Sequence, residues 1–521
     1  MALFDINAAI GRVPNSRLGF DTAEALLTEM DRLGIGEALV YHRLAEDADI
    51  MRGNALLMEA IRGHDRLHPC WVMAPAALGD LPEAEYWVKD ASDAGVKAVR
   101  IFPRHSLYTL SQWCMGSLCA TLENSEMPLL IDYGPHMWPE RVIPWDWVKE
   151  LCDQYPRLPI VVVGITPGEA RDMWALLPQA KNLYFEYHAF CTANALELMA
   201  GAGFGEAMIF GTGVPLRAGE CTVEQTLRSS LEPEDLADMS RNNARRILCL
   251  PDDSAPTESS PFTLPPHVID AHGHVGAWER TCTPVRTLED IVASMEWCHI
   301  DTMVVCSFSA IHGETRAGNR ETAEALKQAP GRLYGYAVIN PHYPEESADE
   351  LQFCFEQAQG FVGLKLHCSL HGVQVHHPGY AYALGFANER GLPVLVHRGE
   401  EDRWDEVTAQ YPRVNFIMAH ACLWDGMDPK GRDLYARVRT TPNLYVDVAG
   451  SAAHREALAR LVDLAGADKV LFGSDFPMFD FGFELGRITG SGLESDIQKG
   501  ILYNNAHRLF GFHEEMACQS S

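Results

Sequence analysis

Several features are missing from this 521-residue chain, and each absence excludes something. No run of about 18 apolar residues occurs, so no membrane-spanning helix is expected. The opening "MALFDINAAIGRVPNSR" has no basic stretch followed by an apolar core, so it does not resemble a signal peptide. The 14 cysteines form no CxxC pair and no regular spacing, which predicts reduced thiols in a cytoplasmic protein.

Basic residues are also scarce. The chain has 42 Lys and Arg against 71 Asp and Glu, which gives a formal net charge of −29. Such a charge argues against nucleic acid and anionic membranes as partners, because little would neutralise their phosphates. A small-molecule substrate is therefore the expected partner.

The second half of the chain instead repeats the sequence pattern of the first half. Seven stretches of the first half align in order with seven of the second, and such periodicity indicates repeated structural units. "ALFDINAAIG" aligns with "HVIDAHGHVG", and "QYPRLPIVVVG" with "QYPRVNFIMAH". The other pairs are VKAVRIF with FVGLKLH, MPLLIDYG with LPVLVHRG, NLYFEY with NLYVDV, MIFGTGVP with VLFGSDFP, and NNARRIL with NNAHRLF.

The repeat divides the chain. We predict a first domain over residues 1–250, a proline-rich linker over 251–266, a second domain over 267–513 and a tail over 514–521. Each half alternates short apolar runs with amphipathic segments, for example "TLEDIVASMEWCH" after a capping threonine. Eight strand–helix units in about 250 residues predict an α/β fold of two tandem (β/α)₈ TIM-like barrels. A doubly wound open sheet is the alternative, but no glycine-rich first turn occurs.

The strands predicted in the second half end in polar residues. Because side chains alternate along a strand, residues two apart share a face, so His272 and His274 point into the barrel together, as do Lys365 and His367. His397, His420 and Asp475 end three further strands. Nitrogen and oxygen donors that converge on one barrel mouth predict a site for a divalent metal such as zinc.

Structural explanations compete with the metal site for each residue taken alone. His420 can be a hydrogen-bonded core histidine, and Asp475 can be a turn residue that caps a helix. His367 can be a metal ligand, a substrate contact or a hydrogen-bond partner of a ligand. The combination at successive strand ends favours the metal site.

At these motifs the second half resembles the amidohydrolase superfamily, in its amidohydrolase-related branch. The matching pieces are IDAHGHVG, GLKLHC, LPVLVHRG, FIMAHA, VLFGSDFP and ILYNNAHRLFGF. The resemblance implies that His272, His274, His397 and Asp475 bind the metal. It also implies that Asp475 accepts the proton of the attacking water and that His420 hydrogen-bonds the water or the substrate.

Three residues are expected to contact substrate. Lys365 departs from the pattern of the decarboxylases in this branch and is interpreted as a cationic clamp, beside His367 and Arg398. In two-metal members of the superfamily a carboxylated lysine on this strand bridges the ions, so two ions remain an alternative to the single one that we favour. Zinc is the expected ion, and manganese and iron suit the same donors.

The predicted function is a metal-dependent hydrolase of a cyclic amide, a lactone or a similar C–N or C–O bond. A bound metal lowers the pKa of water to about 7, and Asp475 acts as the general base. The alternative is a metal-dependent nonoxidative decarboxylase of an aromatic or enoic acid. A non-catalytic binding scaffold is the third class, and it suits the first half alone.

The first half lacks every ligand of the second. Asn7 and Ala9 align with the histidine pair, and Asp132, Gly164 and Gly213 align with His397, His420 and Asp475. Phe102 aligns with His367, and Arg100, which aligns with Lys365, is expected to pair with Asp132. We therefore predict a degenerate barrel that stands in for a partner subunit, with a homodimer of the whole chain also compatible.

Residues 262–521 expressed alone test that role of the first half. We expect an insoluble or inactive fragment, because the mouth of the second barrel would lose its partner. Solubility, metal content and activity are compared with those of the full chain. A soluble and fully active fragment would contradict the prediction.

Overall fold

The computed structural model describes residues 3–14, 16–134, 142–251, 260–279, 283, 285, 287–397, 403–421, 429–450 and 454–512. The chain divides into two compact units. The first contains residues 1–191, 195–261 and 280–282, and the second contains 192–194, 262–279 and 283–521. The division between 261 and 262 falls inside the predicted linker, of which 252–259 lie outside the described residues.

The first unit is built on nine strands in the order β2-β1-β3-β4-β5-β6-β7-β8-β9. The β2 strand is antiparallel to β1, and the others run parallel. Backbone hydrogen bonds from Ile6 N to Phe210 O (3.1 Å) and from Gly213 N to Asn7 O (3.0 Å) join the two ends of the sheet. The strands are β1 Leu3–Val13, β2 Ser16–Phe20, β3 Ile35–His42, β4 Leu67–Val72, β5 Ala98–Ile101, β6 Leu129–Asp132, β7 Ile160–Val163, β8 Leu183–Glu186 and β9 Met208–Ile209.

The second unit is built on eight parallel strands in sequence order from β10 to β17. A bridge between Gly273 and Phe476 and the hydrogen bond from Asp475 N to His272 O (2.7 Å) join the first strand to the last. The prediction of two TIM-like barrels is thus confirmed. The strands are β10 Ile269–Val275, β11 Thr302–Ser307, β12 Leu333–Val338, β13 Phe361–His367, β14 Pro393–His397, β15 Asn415–Met418, β16 Leu444–Asp447 and β17 Val470–Leu471.

Helices alternate with the strands in both units. The predicted capped helix spans Leu288–Trp297, and its Thr287 side chain accepts a hydrogen bond from Asp290 N at 3.1 Å. The α-helices of the first unit are Ala23–Leu33, Arg43–Asp47, Ile50–Ala60, Ala84–Asp93, Gln112–Asn124, Trp145–Gln154, Ala170–Leu176, Ala195–Gly201, Gly219–Leu227, Pro233–Ala237 and Asn243–Ile247. Those that follow are Leu288–Trp297, Phe308–Ile311, Thr315–Gln328, Ser347–Gln352, Cys368–His371, Ala381–Arg390, Trp404–Gln410, Pro429–Thr440, Ala457–Ala465, Phe481–Thr489, Ser495–Lys499 and Asn505–Phe510.

Apolar side chains fill both faces of the strands. In β14, for example, Val394, Leu395 and Val396 are all fully buried, as a parallel sheet between a lumen and a ring of helices requires. None of the helices in the described parts of the chain is long and apolar enough to cross a membrane.

In each unit an asparagine on a helix forms two hydrogen bonds with the backbone at the end of a strand. Asn319 accepts a hydrogen bond from Val338 N (2.9 Å) and donates one to Val338 O (3.1 Å). Asn54 does the same with Val72, at 2.9 and 2.8 Å. Both asparagines are buried, so each satisfies a backbone donor and acceptor that water does not reach.

Asn319→Ala should lower the free energy of unfolding of the second unit by about 2–3 kcal/mol, because two buried backbone groups lose their partner. Urea unfolding followed by hydrogen exchange of second-unit peptides measures the change. Asn388→Ala is the matched control. That side chain accepts one exposed hydrogen bond, from Arg413 N at 2.9 Å, and its loss should cost less than about 1 kcal/mol. Equal effects of the two variants would contradict the prediction.

Candidate metal centre

The strand ends of the second barrel bring the predicted site residues together. His272 and His274 lie on β10, Lys365 and His367 on β13, and His397 ends β14. His420 follows β15 by two residues, and Asp475 follows β17. Of the site residues predicted from the sequence, Arg398 alone lies outside the described residues. The site is deep, since His272 is fully buried and Asp475 is only 5% exposed.

The backbone is turned sharply at two of these residues. His420 and Asp475 have φ angles of 65° and 62°, in the left-handed region that side chains other than glycine rarely adopt. Such a conformation costs roughly 1–3 kcal/mol and persists where its surroundings enforce it. Here the His420 amide donates to Asp447 Oδ1 at 2.8 Å, and the Asp475 amide donates to His272 O at 2.7 Å.

Three side chains form the tightest group of donor atoms. One ligand atom from each of His272, His420 and Asp475 lies within 4.8 Å of the other two. His274 adjoins this group, with its Nε2 atom 2.9 Å from Asp475 Oδ1. His397 lies beside His420, at 4.7 Å between ring centroids. Of the four predicted ligands, His272 and Asp475 therefore belong to this group, His420 takes the third place in it, and His274 and His397 adjoin it.

Each of four histidines is held from outside through its Nδ1 atom, which leaves Nε2 turned to the centre. This arrangement orients metal-binding histidines in proteins and sets which nitrogen is available. The four contacts are His272 with Asp447 Oδ2 (2.9 Å), His274 with Cys306 O (3.2 Å), His420 with Ala449 O (3.1 Å) and His397 with Ser369 Oγ (3.0 Å).

Burial sets the protonation of the group. It lowers the pKa values of His272 and His397 well below the ordinary 6.5 and that of His420 to about 4, so these imidazoles are neutral near pH 7. Burial raises the pKa of Asp475, but the neighbouring His272 and His420 outweigh it and hold that pKa well below 3.8. Neutral imidazole and ionised carboxylate are the forms that bind a metal.

His274 differs from the other histidines. Burial lowers its pKa, but Cys306 and Asp475 more than offset this and raise it to about 9. The Nε2 atom of His274 then carries a proton that it donates to Asp475. Binding of a metal at this nitrogen must release that proton.

Lys365 is buried in the same place. Its side chain is 1% exposed, and its Nζ atom lies 2.9 Å from His272 Nε2. Burial lowers the pKa of this ammonium group. The nitrogen that Lys365 contacts is also the one that His272 would offer to a metal, so this lysine belongs to the centre and not to its rim.

The donor set fits a divalent ion of intermediate softness. Imidazole nitrogens and one carboxylate suit zinc, manganese and iron, and calcium prefers oxygen alone. Two features of this chain support the fit: the Nε2 atoms of the histidines face inward, and Asp475 is ionised. Together they place several electron-pair donors close to one another in a buried pocket.

Asp447 and Phe308 contribute to the site and were not predicted from the sequence. Asp447 ends β16 and contacts His272 Nδ1. The repeat could have identified it, because an acid, Glu186, occupies the aligned position in the first half. Phe308 stacks on His274 at 4.4 Å between centroids with an angle of 16°, and Trp278 lies 5.7 Å from Phe308. No sequence motif marks Phe308, which begins the short helix that follows β11.

The first barrel has none of these donors at the aligned positions. Arg100 donates to Asp132 from Nε at 3.1 Å, so the ion pair that the sequence predicts is present and buried. Gly164 and Gly213 have φ angles of 69° and 68°, nearly those of His420 and Asp475. The same turned backbone therefore occurs in both barrels, and where no ligand is needed glycine adopts it without strain.

Comparison with protein families adds an independent observation. The profile of the family described as amidohydrolase matches residues 269–512. This match supports the assignment of the second half to the amidohydrolase superfamily. Members of this family are metal-dependent enzymes, either hydrolases or decarboxylases. A search of curated proteins found no match.

Solved structures similar to the chain each cover about half of it. A 2,6-dihydroxybenzoate decarboxylase from Rhizobium has 17% identity and a TM-score of 0.39, over 47% of this chain and 98% of its own. A dihydroxybenzoic acid decarboxylase from a Polaromonas species, solved with manganese and 2-nitroresorcinol, has 17% identity and a TM-score of 0.39, over 48% and 98%. A protein named amidohydrolase II has 19% identity and a TM-score of 0.40, over 47% and 100%. Proteins this distant can differ in reaction and substrate.

Metal content per chain tests the centre. We expect about one ion per full-length chain purified without chelators, measured by plasma mass spectrometry. His272→Ala and Asp475→Ala should each weaken metal binding by at least about 10–100-fold, because a ligand is lost. His267→Ala is the control, since this nearby histidine is exposed and contacts Asp301 instead (3.2 Å).

Other outcomes are equally informative. Two ions per chain would support a carboxylated Lys365 between them. No ion after supply of zinc and manganese would contradict the metal centre altogether.

Proposed function

We propose that the second barrel is a metal-dependent hydrolase that opens a cyclic amide, a lactone or a similar C–N or C–O bond. The observation that carries the proposal is the ionised carboxylate of Asp475, buried among histidines whose Nε2 atoms face it. The proposed ligands are His272, His274, His397 and Asp475. A divalent ion bound there would polarise a carbonyl group and acidify a water molecule.

Asp475 supplies the proton transfer in this proposal. Its carboxylate is 5% exposed, is ionised because His272 and His420 lower its pKa, and contacts two imidazoles, so its lone pairs are available to the attacking water at the proposed metal site. The same carboxyl group then gives the proton to the leaving nitrogen or oxygen. His420, at the ring of His272 (4.9 Å between centroids), is placed to hydrogen-bond the water or the substrate.

Lys365 and His367 are proposed to bind substrate. Lys365 lies in the lumen and would hold an electronegative group of the substrate by charge once a metal occupies His272 Nε2. His367 stacks on His397 at 4.1 Å between centroids, so it borders the same space. Arg398 follows His397 in sequence and remains a proposed contact for a substrate carboxylate.

A decarboxylase of an aromatic acid is the second candidate. The observation in its favour is the ladder of rings formed by His274, Phe308 and Trp278, which continues to His312 at 5.2 Å from Trp278. A flat aromatic substrate can stack on such a ladder. In this reaction the metal site would hold a carboxylate or phenolate, and a histidine or Asp475 would protonate the ring carbon.

Product analysis separates the two functions. Metal-loaded protein is incubated with a panel of lactones and cyclic amides and with a panel of hydroxylated aromatic acids. We expect ring opening without CO₂, with release of one acid equivalent from a lactone and formation of an amino acid from a cyclic amide. Release of CO₂ from the aromatic acids, with the lactones and amides untouched, would overturn the hydrolase in favour of the decarboxylase.

Asp475→Asn should lower kcat/KM by about 10²–10⁴-fold through loss of proton transfer. Metal content is measured in parallel, since Asp475 is also a proposed ligand.

Lys365→Met should raise KM more than it lowers kcat, because the lysine binds substrate and takes no proton. Unchanged KM in Lys365→Met would contradict its role as a clamp.

A further inference from the structure

The mouth of the first barrel carries new polar residues where the ligands of the second are missing. His188 lies two residues beyond β8, at the position of Ala449 in the repeat, and Arg217 occupies the position of Phe479. Both replacements exchange an apolar side chain for one that binds anions or protons. The loss of the metal ligands therefore coincides with a gain of other chemistry at the same end of the barrel.

The His188 side chain fills the space next to the Cα atoms of Gly164 and Gly213. A Cβ atom added to Gly164 would lie 2.9 Å from His188 Cε1, and one added to Gly213 would lie 3.2 Å from His188 Cδ2. The imidazole thus takes the room that the aligned His420 and Asp475 side chains use in the second barrel. Its side chain is 13% exposed, so solvent reaches it.

Glu186 fixes the orientation of this ring. Its Oε2 atom lies 2.7 Å from His188 Nδ1, and in the neutral tautomer that donates to this carboxylate the proton is on Nδ1 and Nε2 is an acceptor. Glu186 also accepts from Gly164 N (2.9 Å), His188 N (2.8 Å) and Asn7 Nδ2 (3.2 Å). The Oε2 atom takes part in three of these four contacts, and Oε1 accepts from the His188 amide.

Arg217 runs across the same face of Gly213. A Cβ atom there would meet Arg217 Cγ at 2.8 Å, next to the His188 ring. Within the described ranges no hydrogen bond or ion pair reaches the Arg217 guanidinium, whereas Arg100 is paired with Asp132. Burial lowers the pKa of Arg217, yet an arginine keeps its charge in proteins. The buried carboxylate of Glu186 lies within electrostatic range, but no direct ion pair to this guanidinium is described, and a largely buried cation without one is costly unless a ligand supplies it.

We propose that the mouth of the first barrel binds a small organic carboxylate that carries a neighbouring hydroxyl group. The guanidinium of Arg217 holds the carboxylate, a geometry suited to two parallel hydrogen bonds. The Nε2 atom of His188 accepts the hydrogen bond of the hydroxyl, because its Nδ1 atom already donates to Glu186. The location agrees with the carboxyl end of barrel strands, where ligands of this fold bind.

Site-resolved labelling of arginine tests the proposal on the full chain, without any assay of the second barrel. Phenylglyoxal reacts with accessible guanidinium groups, and peptide mass spectrometry gives the rate at each one. Lactate is the probe, with propionate as its match without the hydroxyl and lactamide as its match without the charge. We expect lactate to slow labelling of Arg217 several-fold, propionate to slow it less and lactamide not at all.

Two other arginines act as internal controls. Arg12 is exposed and should be labelled without protection, and Arg100 is buried in its ion pair and should stay unlabelled. His188→Ala should reduce the protection by lactate to that by propionate, with Arg217 still reactive. Absence of labelling at Arg217, no protection by lactate, or equal protection by lactamide would overturn the proposal. Equal protection by lactate and propionate in the unmodified protein would overturn the contact with His188.

Discussion

A buried acid at the end of the seventh parallel strand organises each barrel mouth. In the second barrel Asp447 accepts hydrogen bonds from the backbone of His420 (2.8 Å) and Ala449 (3.2 Å), and it contacts His272 Nδ1 (2.9 Å). In the first, Glu186 binds Gly164, His188 and Asn7 in the same way. One carboxylate thus links the first, sixth and seventh parallel strands, and without it the turned backbone that follows the sixth strand would lose its partner.

The consequences of this anchor differ between the units. Asp447 directs His272 Nε2 to a centre that contains Asp475 and three more imidazoles, and the protonation states there suit a metal. Glu186 directs a histidine two residues beyond its own strand to a mouth that contains Arg217, for which no direct ion pair is described. The same scaffold therefore supports a candidate metal centre in one unit and, in our proposal, a metal-free anion site in the other.

Strain marks the difference between the two mouths. His420 and Asp475 adopt left-handed backbone conformations, which are costly for these residue types, and glycines adopt the same conformations in the first unit. A side chain remains at such a position only where it is needed, because glycine is the less strained choice. This contrast supports a functional role of His420 and Asp475 in the second barrel without reference to any relative.

The fold and most of the centre could be predicted from the sequence, because alternation along a strand and the repeat both follow from local order. His272 with His274, and Lys365 with His367, share a face by that rule alone. The sequence did not reveal Asp447 as the anchor of His272, the ring ladder from Trp278 to His274, or the contact of Lys365 with His272. These depend on distances between loops and strands far apart in the chain, which only closure of the barrel sets. Local sequence thus determined which residue types stand at the strand ends. The tertiary structure decided which histidine nitrogens, aromatic rings and charged groups contact one another.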